Sequence, residues 1–536
     1  MAHHARAGAD GSPRPVRGRA RSHRPRLTVG DAGVPRPATL EARGWGWRYA
    51  TRRAWAARET AFRIDAGERV LLLGASGSGK STLLQGLAGV LGGADEGEQE
   101  GALLVDGQPA AEARGRAGLV LQDPDSQTIL ARVGDDVAFG CENLGVRRDE
   151  IWRRVRAALD AVGLDVPLDR STAALSGGQK QRLALAGIVA MQPGAVLLDE
   201  PTANLDPAGV VDVRDAVARA LDATGATLVV IEHRIEAWLP VVDRVIVLAP
   251  GGEVIADGDP RTVLTERGQE LAAAGVWVPG IRPSFPPRPA AAPGDVLLSA
   301  MDLVVGRAVG SPAAGPLDLD VRAGEVLGVV GPNGAGKSTL GLTLAGLLRA
   351  QGGAVRAADG LAAGAALVRR PRRRVAAAPA DPAAWTSTAL LTRIGTVLQE
   401  PEHQILRASV RDELEVGPRA LGLEETEITA RVDELLERLR LAPLAGANPY
   451  TLSGGEKRRL TVAAMLAARP RVVVLDEPTF GQDARTWSEL VAIIASLRDG
   501  VDDRGPLGVV TITHDDAVLD ALAARRFALA PAGVRA

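Results

Sequence analysis

The chain has 536 residues, a formal charge of −2 and one cysteine. Its length suits two or three domains, its charge supplies no global basic field toward nucleic acid or anionic lipid, and a single cysteine excludes an internal disulfide framework and a cysteine-rich zinc site. No run approaches the roughly 18–20 apolar residues that span a bilayer and the N-terminus lacks a secretory hydrophobic core, so the expected place is the cytoplasm, with any membrane reached through partners.

Residues 1–38 hold eight arginines against two aspartates with no apolar period and read as a disordered tail or an over-called start, with a membrane or nucleic-acid tether as the alternative. The apolar run Val70–Leu73 suits a buried parallel strand. It leads into Gly74-Ala75-Ser76-Gly77-Ser78-Gly79-Lys80-Ser81, then Thr82 and a helical pattern, the context that a phosphate-binding loop requires. The glycines let backbone N–H groups turn toward β- and γ-phosphates, and the helix N-terminus adds favourable potential. Lys80 supplies charge and Ser81 a hydroxyl for Mg²⁺. Only four of the 63 basic residues are lysine: Lys80, Lys180, Lys337 and Lys457. Lys80 and Lys337 stand where a compact ammonium on a flexible stem reaches phosphate oxygens.

Further along, Cys141 reads as a small apolar residue in a helix, and Ile151, Val155, Leu159 and Val162 mark one amphipathic face. Leu175-Ser176-Gly177-Gly178-Gln179 opens another helix, where bare N–H groups and a hydroxyl offer a second anion site; a plain N-cap is the alternative. Ala195–Glu200 is an apolar strand ending in two acids. Asp199 is placed to hold Mg²⁺, and Glu200 to orient and deprotonate an attacking water. Leu228–Ile231 is a further buried strand. Pro279 to Val296 contains six prolines and reads as a semi-rigid linker, long enough in polyproline conformation to span roughly 55 Å.

Two similar halves, 39–278 and 297–536, flank that linker. Gln122 to Gln399, Ser176 to Ser453 and Asp199 to Asp476 all differ by 277, whereas Lys80 to Lys337 differs by 257. The second half therefore carries about 20 extra residues, around Leu361–Thr388, where Arg369, Arg370, Arg372, Arg373 and Arg374 suggest a solvated surface loop, with a headgroup-contacting patch as the alternative. Its strands are Val326–Val330, Val472–Leu475 and Val509–Ile512. Its phosphate loop is Gly331-Pro332-Asn333-Gly334-Ala335-Gly336-Lys337-Ser338, followed by Thr339. Ile428, Val432, Leu435, Leu436 and Leu439 repeat the amphipathic face, Leu452-Ser453-Gly454-Gly455-Glu456 repeats the helix start, and Asp476 and Glu477 repeat the acidic pair. Each half is α/β. One nucleotide does not need two phosphate sites on one half, so a sandwich is expected: Lys80 with Ser453, and Lys337 with Ser176.

On these motifs the chain resembles a tandem pair of ATP-binding cassettes of the ABC superfamily, from about residue 39 to the end. The resemblance implies, in each half, a RecA-like parallel-sheet core of the P-loop NTPase type, an antiparallel β subdomain and a helical signature subdomain, using ATP with Mg²⁺. It implies that Gln122 and Gln399 are Q-loop glutamines, joining Ser81, Asp199, Ser338 and Asp476 around the metal. Asp206 and Asp483 match the D-loop aspartate, and His233 and His514 the switch histidine that touches the γ-phosphate beside the catalytic Glu200 and Glu477. Tyr49, 25 residues before Gly74, fits the aromatic that stacks on adenine. The matching position in the second half is Gly306, beside Arg307, whose planar guanidinium is the candidate substitute. Weaker ATP affinity is expected there.

Gln122-Asp123-Pro124-Asp125-Ser126-Gln127 and Gln399-Glu400-Pro401-Glu402-His403-Gln404 resemble the Q-P-(D/E)-x-Q pattern of energy-coupling factor (ECF) transporters, as does Asp136–Gly145. That resemblance implies an ATPase at the cytoplasmic membrane face, with an integral-membrane coupling subunit and a small-solute-binding membrane subunit as partners, importing a vitamin, vitamin precursor or metal ion. Phe480-Gly481-Gln482-Asp483 and Gly275–Pro279 resemble fused versions linked to thiamine-precursor uptake. A sugar-type importer ATPase is the nearest alternative. A soluble ABC translation factor is disfavoured by the short proline-rich junction, and a DNA-repair ABC ATPase by the single cysteine.

Overall fold

An apolar strand of five residues has no polar face to offer water, so both its faces must be covered. In the computed structural model, which describes residues 36–50, 54–93, 95–124, 126–203, 205–283, 292–368, 380–500 and 505–530, they are. Every residue of Ala195–Asp199, Thr227–Ile231, Val472–Asp476 and Gly508–Ile512 is buried.

In the first half a six-stranded sheet runs in the order Val254–Gly258, Arg244–Leu248, Arg69–Gly74, Thr227–Ile231, Ala195–Asp199, Ala117–Val120. It is parallel except at the edge strand Val254–Gly258. The second half has a five-stranded parallel sheet in the order Ile394–Val397, Val472–Asp476, Gly508–Ile512, Val326–Val330, Arg525–Ala528. Parallel strands put their carboxyl ends along one edge, where such sheets bind ligands. Gly74, Asp199 and Ile231 meet at that edge in one half, and Val330, Asp476 and Ile512 in the other.

Each half adds an antiparallel sheet. Leu40–Tyr49 pairs with Ala57–Ile64 and Gly97–Val105; Val296–Val305 pairs with Ala314–Arg322 and Gly352–Ala357. Each also adds helices: Val133–Asn143 and Arg148–Ala161 beside Gly177–Met191, and Val410–Ala420 and Glu425–Arg438 beside Gly454–Ala467. The apolar faces expected from periodicity are buried at Ile151, Val155, Leu159 and Val162 and at Ile428, Val432, Leu435, Leu436 and Leu439. Cys141 is fully buried, its Sγ donates to Ala190 O at 3.1 Å, and burial pushes its thiol pKa up. No helix among the described residues is long and apolar enough to cross a membrane.

Three expectations need correction. The tail does not reach residue 38: Ala38 is fully buried and its N–H donates to Gly194 O at 2.9 Å. The linker does not begin as open polyproline, since Val278 and Ile281 pair across a turn at Pro279 and Gly280. The extra segment of the second half is not only a surface loop, because Leu361, Trp385 and Ala389 are buried in the cluster beneath the antiparallel sheet. Its arginines 369–374, and the tail through residue 35, lie outside the described residues.

Candidate nucleotide sites

Both phosphate loops are shaped by glycines in left-handed backbone. Gly79 has φ +86°, and a Cβ there would sit 2.5 Å from Ala56 O; Gly336 has φ +91°. Lys80 and Lys337 begin the following helices. Lys80 Nζ donates to Gly74 O and Ala75 O at 2.7 and 2.9 Å, and Lys337 Nζ donates to Gly331 O and Pro332 O at 2.8 and 3.0 Å. Burial pushes both ammonium pKa values down. Ser78 Oγ is buried without a hydrogen-bond partner among the described residues, an unmet polar atom inside the first loop. Ser81 is hydrogen-bonded to Asp199, and Ser338 to Asp476. A hydroxyl beside a carboxylate is the hard-oxygen donor set that suits Mg²⁺.

Glu200 and Glu477 sit just past their strands at φ +49° and +48°, a left-handed conformation that costs a non-glycine residue on the order of 1–3 kcal/mol. Their N–H groups donate to Ile231 O and Ile512 O at 3.0 and 2.8 Å, which holds that turn. Beyond this the two sites differ. Glu200 Oε2 accepts from Gln122 Nε2 at 2.8 Å, and its Oε1 lies 3.1 Å from His233 Nε2. Glu477 Oε2 accepts instead from Thr513 Oγ1 at 3.1 Å, while His514 Nε2 lies 3.9 Å from Glu477 Oε1 and 3.0 Å from Asn333 Oδ1.

The electrostatics reflect these contacts. Burial opposes charge on His233, yet the facing Glu200 carboxylate outweighs it and holds the pKa above the ordinary value. Burial and then Lys337 hold His514 below it. Burial and the neighbouring Glu200 push Asp199 up to about 7, and burial and Asp476 push Glu477 up to about 7. Asp476 is raised chiefly by burial.

The halves meet at these sites. Asp483 Oδ2 accepts from Ser76 N at 2.7 Å, and Asp206 Oδ2 accepts from Asn333 N at 3.4 Å. Each D-loop aspartate therefore reaches the opposite phosphate loop while capping its own helix through Gly209 N or Thr486 N. Between the halves lies a cavity of about 350 Å³ that Glu200, His233, Glu477 and His514 all line. Ser176 and Ser453 form capping boxes with Gln179 and Glu456, so Gly177, Gly178, Gly454 and Gly455 open their helices as the N-cap reading expects. Tyr49 OH shares a 3.2 Å hydrogen bond with Thr82 Oγ1, which brings its ring to the first loop. Arg307 is exposed, and its charge acts on Asp476. Thr339 is buried in the second loop's helix.

The bracing roles of several residues escaped the sequence reading. Gln127 Oε1 accepts from Leu121 N at 2.8 Å and its Nε2 donates to Leu119 O at 3.1 Å; Gln404 does the same with Leu398 N and Thr396 O at 2.8 and 2.9 Å. The last glutamine of each Q-loop pattern is thus a brace. Asp136 Oδ1 accepts from Ile129 N and Leu130 N, and Glu413 Oε2 from Leu406 N and Arg407 N, all at 2.8 Å. Buried Arg458, its pKa lowered to about 10 by burial, donates to Leu398 O and Gln399 O at 2.7 and 2.6 Å. The repeat offset was the available signal, since Gln127 and Gln404, and Asp136 and Glu413, are 277 apart.

The model of the ABC transporter family matches residues 57–203 and 315–480. A Bacillus subtilis (strain 168) protein, provisionally named as the HMP/thiamine import ATP-binding protein YkoD, is 34% identical over 489 residues, 85% of this chain and 84% of its own. The structure of cbiO1 from Clostridium perfringens, part of the ABC transporter complex cbiONQ, is 35% identical over 42% of this chain and 91% of its own, with a TM-score of 0.38. The archaeal ribosome recycling factor aABCE1, in complex with the stalk protein aP1, covers 91% of this chain and 87% of its own at 20% identity and a TM-score of 0.54, a likeness of fold.

Proposed function

The chain belongs to the ABC transporter family and is an ATPase, and we propose that it is the energising subunit of an ECF-type importer, bound at the cytoplasmic membrane face. The cargo class is a small solute: a vitamin, a vitamin precursor or a metal ion. The import named for the Bacillus relative supports that class.

The observation that carries the reading is a matched pair of exposed apolar side chains. Ile129 and Leu406 stand 277 residues apart and are 59% and 71% exposed. Their backbones are pinned by Asp136 and Glu413. Apolar side chains held out to solvent at equivalent places suit docking of a membrane partner. Each lies just past a Q-loop glutamine, and Gln122 touches the Glu200 carboxylate. Movement at the docked surface thus has a short route to hydrolysis.

The roles proposed for the residues are those that the resemblance to ATP-binding cassettes implies, and the contacts within each site support them. Residues 74–82 and 331–339 cradle the phosphates of ATP, with Lys80 and Lys337 turning from loop carbonyls to phosphate oxygens. Tyr49 and Arg307 meet the two purines. Mg²⁺, when bound, would draw charge from the phosphate oxygens; Ser81, Asp199 and Gln122, and Ser338, Asp476 and Gln399, would hold it. Glu200 and Glu477 orient water and take its proton on a carboxylate oxygen, and His233 and His514 contact the γ-phosphate. Ser453, Gly454 and Gly455 close over the nucleotide at Lys80, and Ser176, Gly177 and Gly178 over that at Lys337. Fusion keeps the halves at about millimolar effective concentration.

Ile129→Asp with Leu406→Asp should abolish co-purification with integral-membrane proteins and ATP-driven uptake, while basal ATPase stays within about twofold. Retained uptake sinks the reading. Tyr49→Ala should raise the KM for ATP by about fivefold, the worth of an aromatic stack, with kcat little changed. An unaltered KM rejects Tyr49 as the adenine platform.

A further inference from the structure

We propose that residues 275–278, centred on Trp277, are a strap that seats the second cassette's D-loop on the first phosphate loop. Trp277 is then a positioning residue for the Lys80 site, and the two ATP sites turn over unequally. The proposal rests on the two-sided sites described above.

The strap is anchored in the first cassette. After the helix Pro260–Ala273, Gly275 N donates to Ala272 O and Val276 N to Leu271 O, both at 3.0 Å, and Val276 and Val278 are buried in the first core. Gly275 has φ +94°, a left-handed turn that frees its carbonyl to face away from the helix. That carbonyl accepts from Ala484 N of the second cassette at 3.0 Å. Two residues on, Trp277 Nε1 donates to Gln482 O at 2.7 Å. The indole meets Trp487 edge-on at 5.9 Å and packs against the cores of both cassettes. These bonds bracket Asp483, the residue whose carboxylate takes Ser76 N at 2.7 Å.

The mirror site cannot be bracketed in this way. The 277-residue offset maps Ala484 onto Pro207, which has no N–H, and Trp487 onto Val210. There Asp206 reaches Asn333 N at the longer 3.4 Å. Ordering a loop before the substrate arrives removes that entropic cost from the assembly of the site. The Lys80 site is braced across the cassettes in this way, whereas at the Lys337 site the carbonyl equivalent to Gln482 O, Leu205 O, is held within its own cassette by Arg234 Nη1 at 3.1 Å.

Ala484→Pro tests the strap with little risk to the fold. Residue 484 is the first helical position, where proline is tolerated, and Asp483 before it is extended, at φ −67° and ψ 164°, as a residue preceding proline requires. Trp277→Ala removes the whole anchor, and Trp277→Phe keeps a ring without the donor. Full-length protein is trapped with 8-azido-ATP and vanadate under light, and peptide mass spectrometry counts the label on each cassette. Wild type should label the first cassette in excess. Ala484→Pro should lower the first-to-second ratio about fivefold, as for loss of one hydrogen bond, Trp277→Ala by about tenfold, and Trp277→Phe by less. An unchanged ratio, or equal loss on both cassettes, overturns the strap. Ser453→Arg serves as the reference: if it spares the first cassette's label, the two-sided reading falls and the strap with it, whereas an unchanged Ala484→Pro ratio beside an effective Ser453→Arg sinks the strap alone.

Discussion

Glu200→Gln combined with Glu477→Gln should lower steady-state ATP turnover by roughly 10²–10⁴-fold, the range of a positioned general base, and leave ATP bound with the cassettes shut. The substitution is nearly isosteric, so the left-handed turn at each residue, held by Ile231 O and Ile512 O, is kept. The loss is of a carboxylate able to accept a proton. Both sites need the change because both cassettes carry the acid at the same strand end, with a histidine within 3.1 Å in one and 3.9 Å in the other. Phosphate release measures turnover, and nucleotide co-eluting with the protein on gel filtration measures retention. Turnover near the wild-type rate would reject the two glutamates as bases. Loss of bound nucleotide would show instead that they hold the substrate.

The parts of this molecule legible in sequence are those whose physics is local. Val472–Leu475 reads as a buried strand because nothing polar interrupts it, and it is buried throughout. Ile428, Val432 and Leu435 read as one helix face because their spacing leaves a single stripe to cover. The two glycine loops read from their spacing, and at Gly79 the structure leaves no room for a Cβ beside Ala56 O. Other features depend on partners distant in the chain. No local pattern marks Glu200 as left-handed, since that turn is imposed by the strand ending in Ile231. Gln127 and Gln404 read as part of a signature and prove to brace strand ends. Trp385 sits in a segment rich in alanine and arginine that reads as solvated, yet it belongs to a core shared with residues as distant as Leu298, Val355, Val474 and Val510. The unlike settings of His233 and His514 depend on which neighbour each ring faces. Their adjoining residues, Glu232 and Arg234 in one cassette and Thr513 and Asp515 in the other, do not reveal that choice.

Ser453→Arg should silence hydrolysis at the Lys80 site, although the residue belongs to the other cassette. Ser453 Oγ caps its own helix by accepting from Glu456 N. Losing a cap costs about 1 kcal/mol, which corresponds to a melting shift of about 2–4 °C in a domain of this size. Folding therefore survives the change. The larger consequence is chemical. A helix N-terminus with a hydroxyl and two glycines presents N–H groups to an anion, and a long arginine side chain there fills the space a phosphate would enter. Asp483 joins the second cassette to the first phosphate loop through Ser76 N, and its neighbour Gln482 lies against Gly455 at the start of the Ser453 helix. Vanadate-trapped label on the first cassette should fall by about a hundredfold, the range for removing one preorganised donor to a developing charge, while label on the second falls less. Loss confined to the second cassette would mean that each cassette completes its own site.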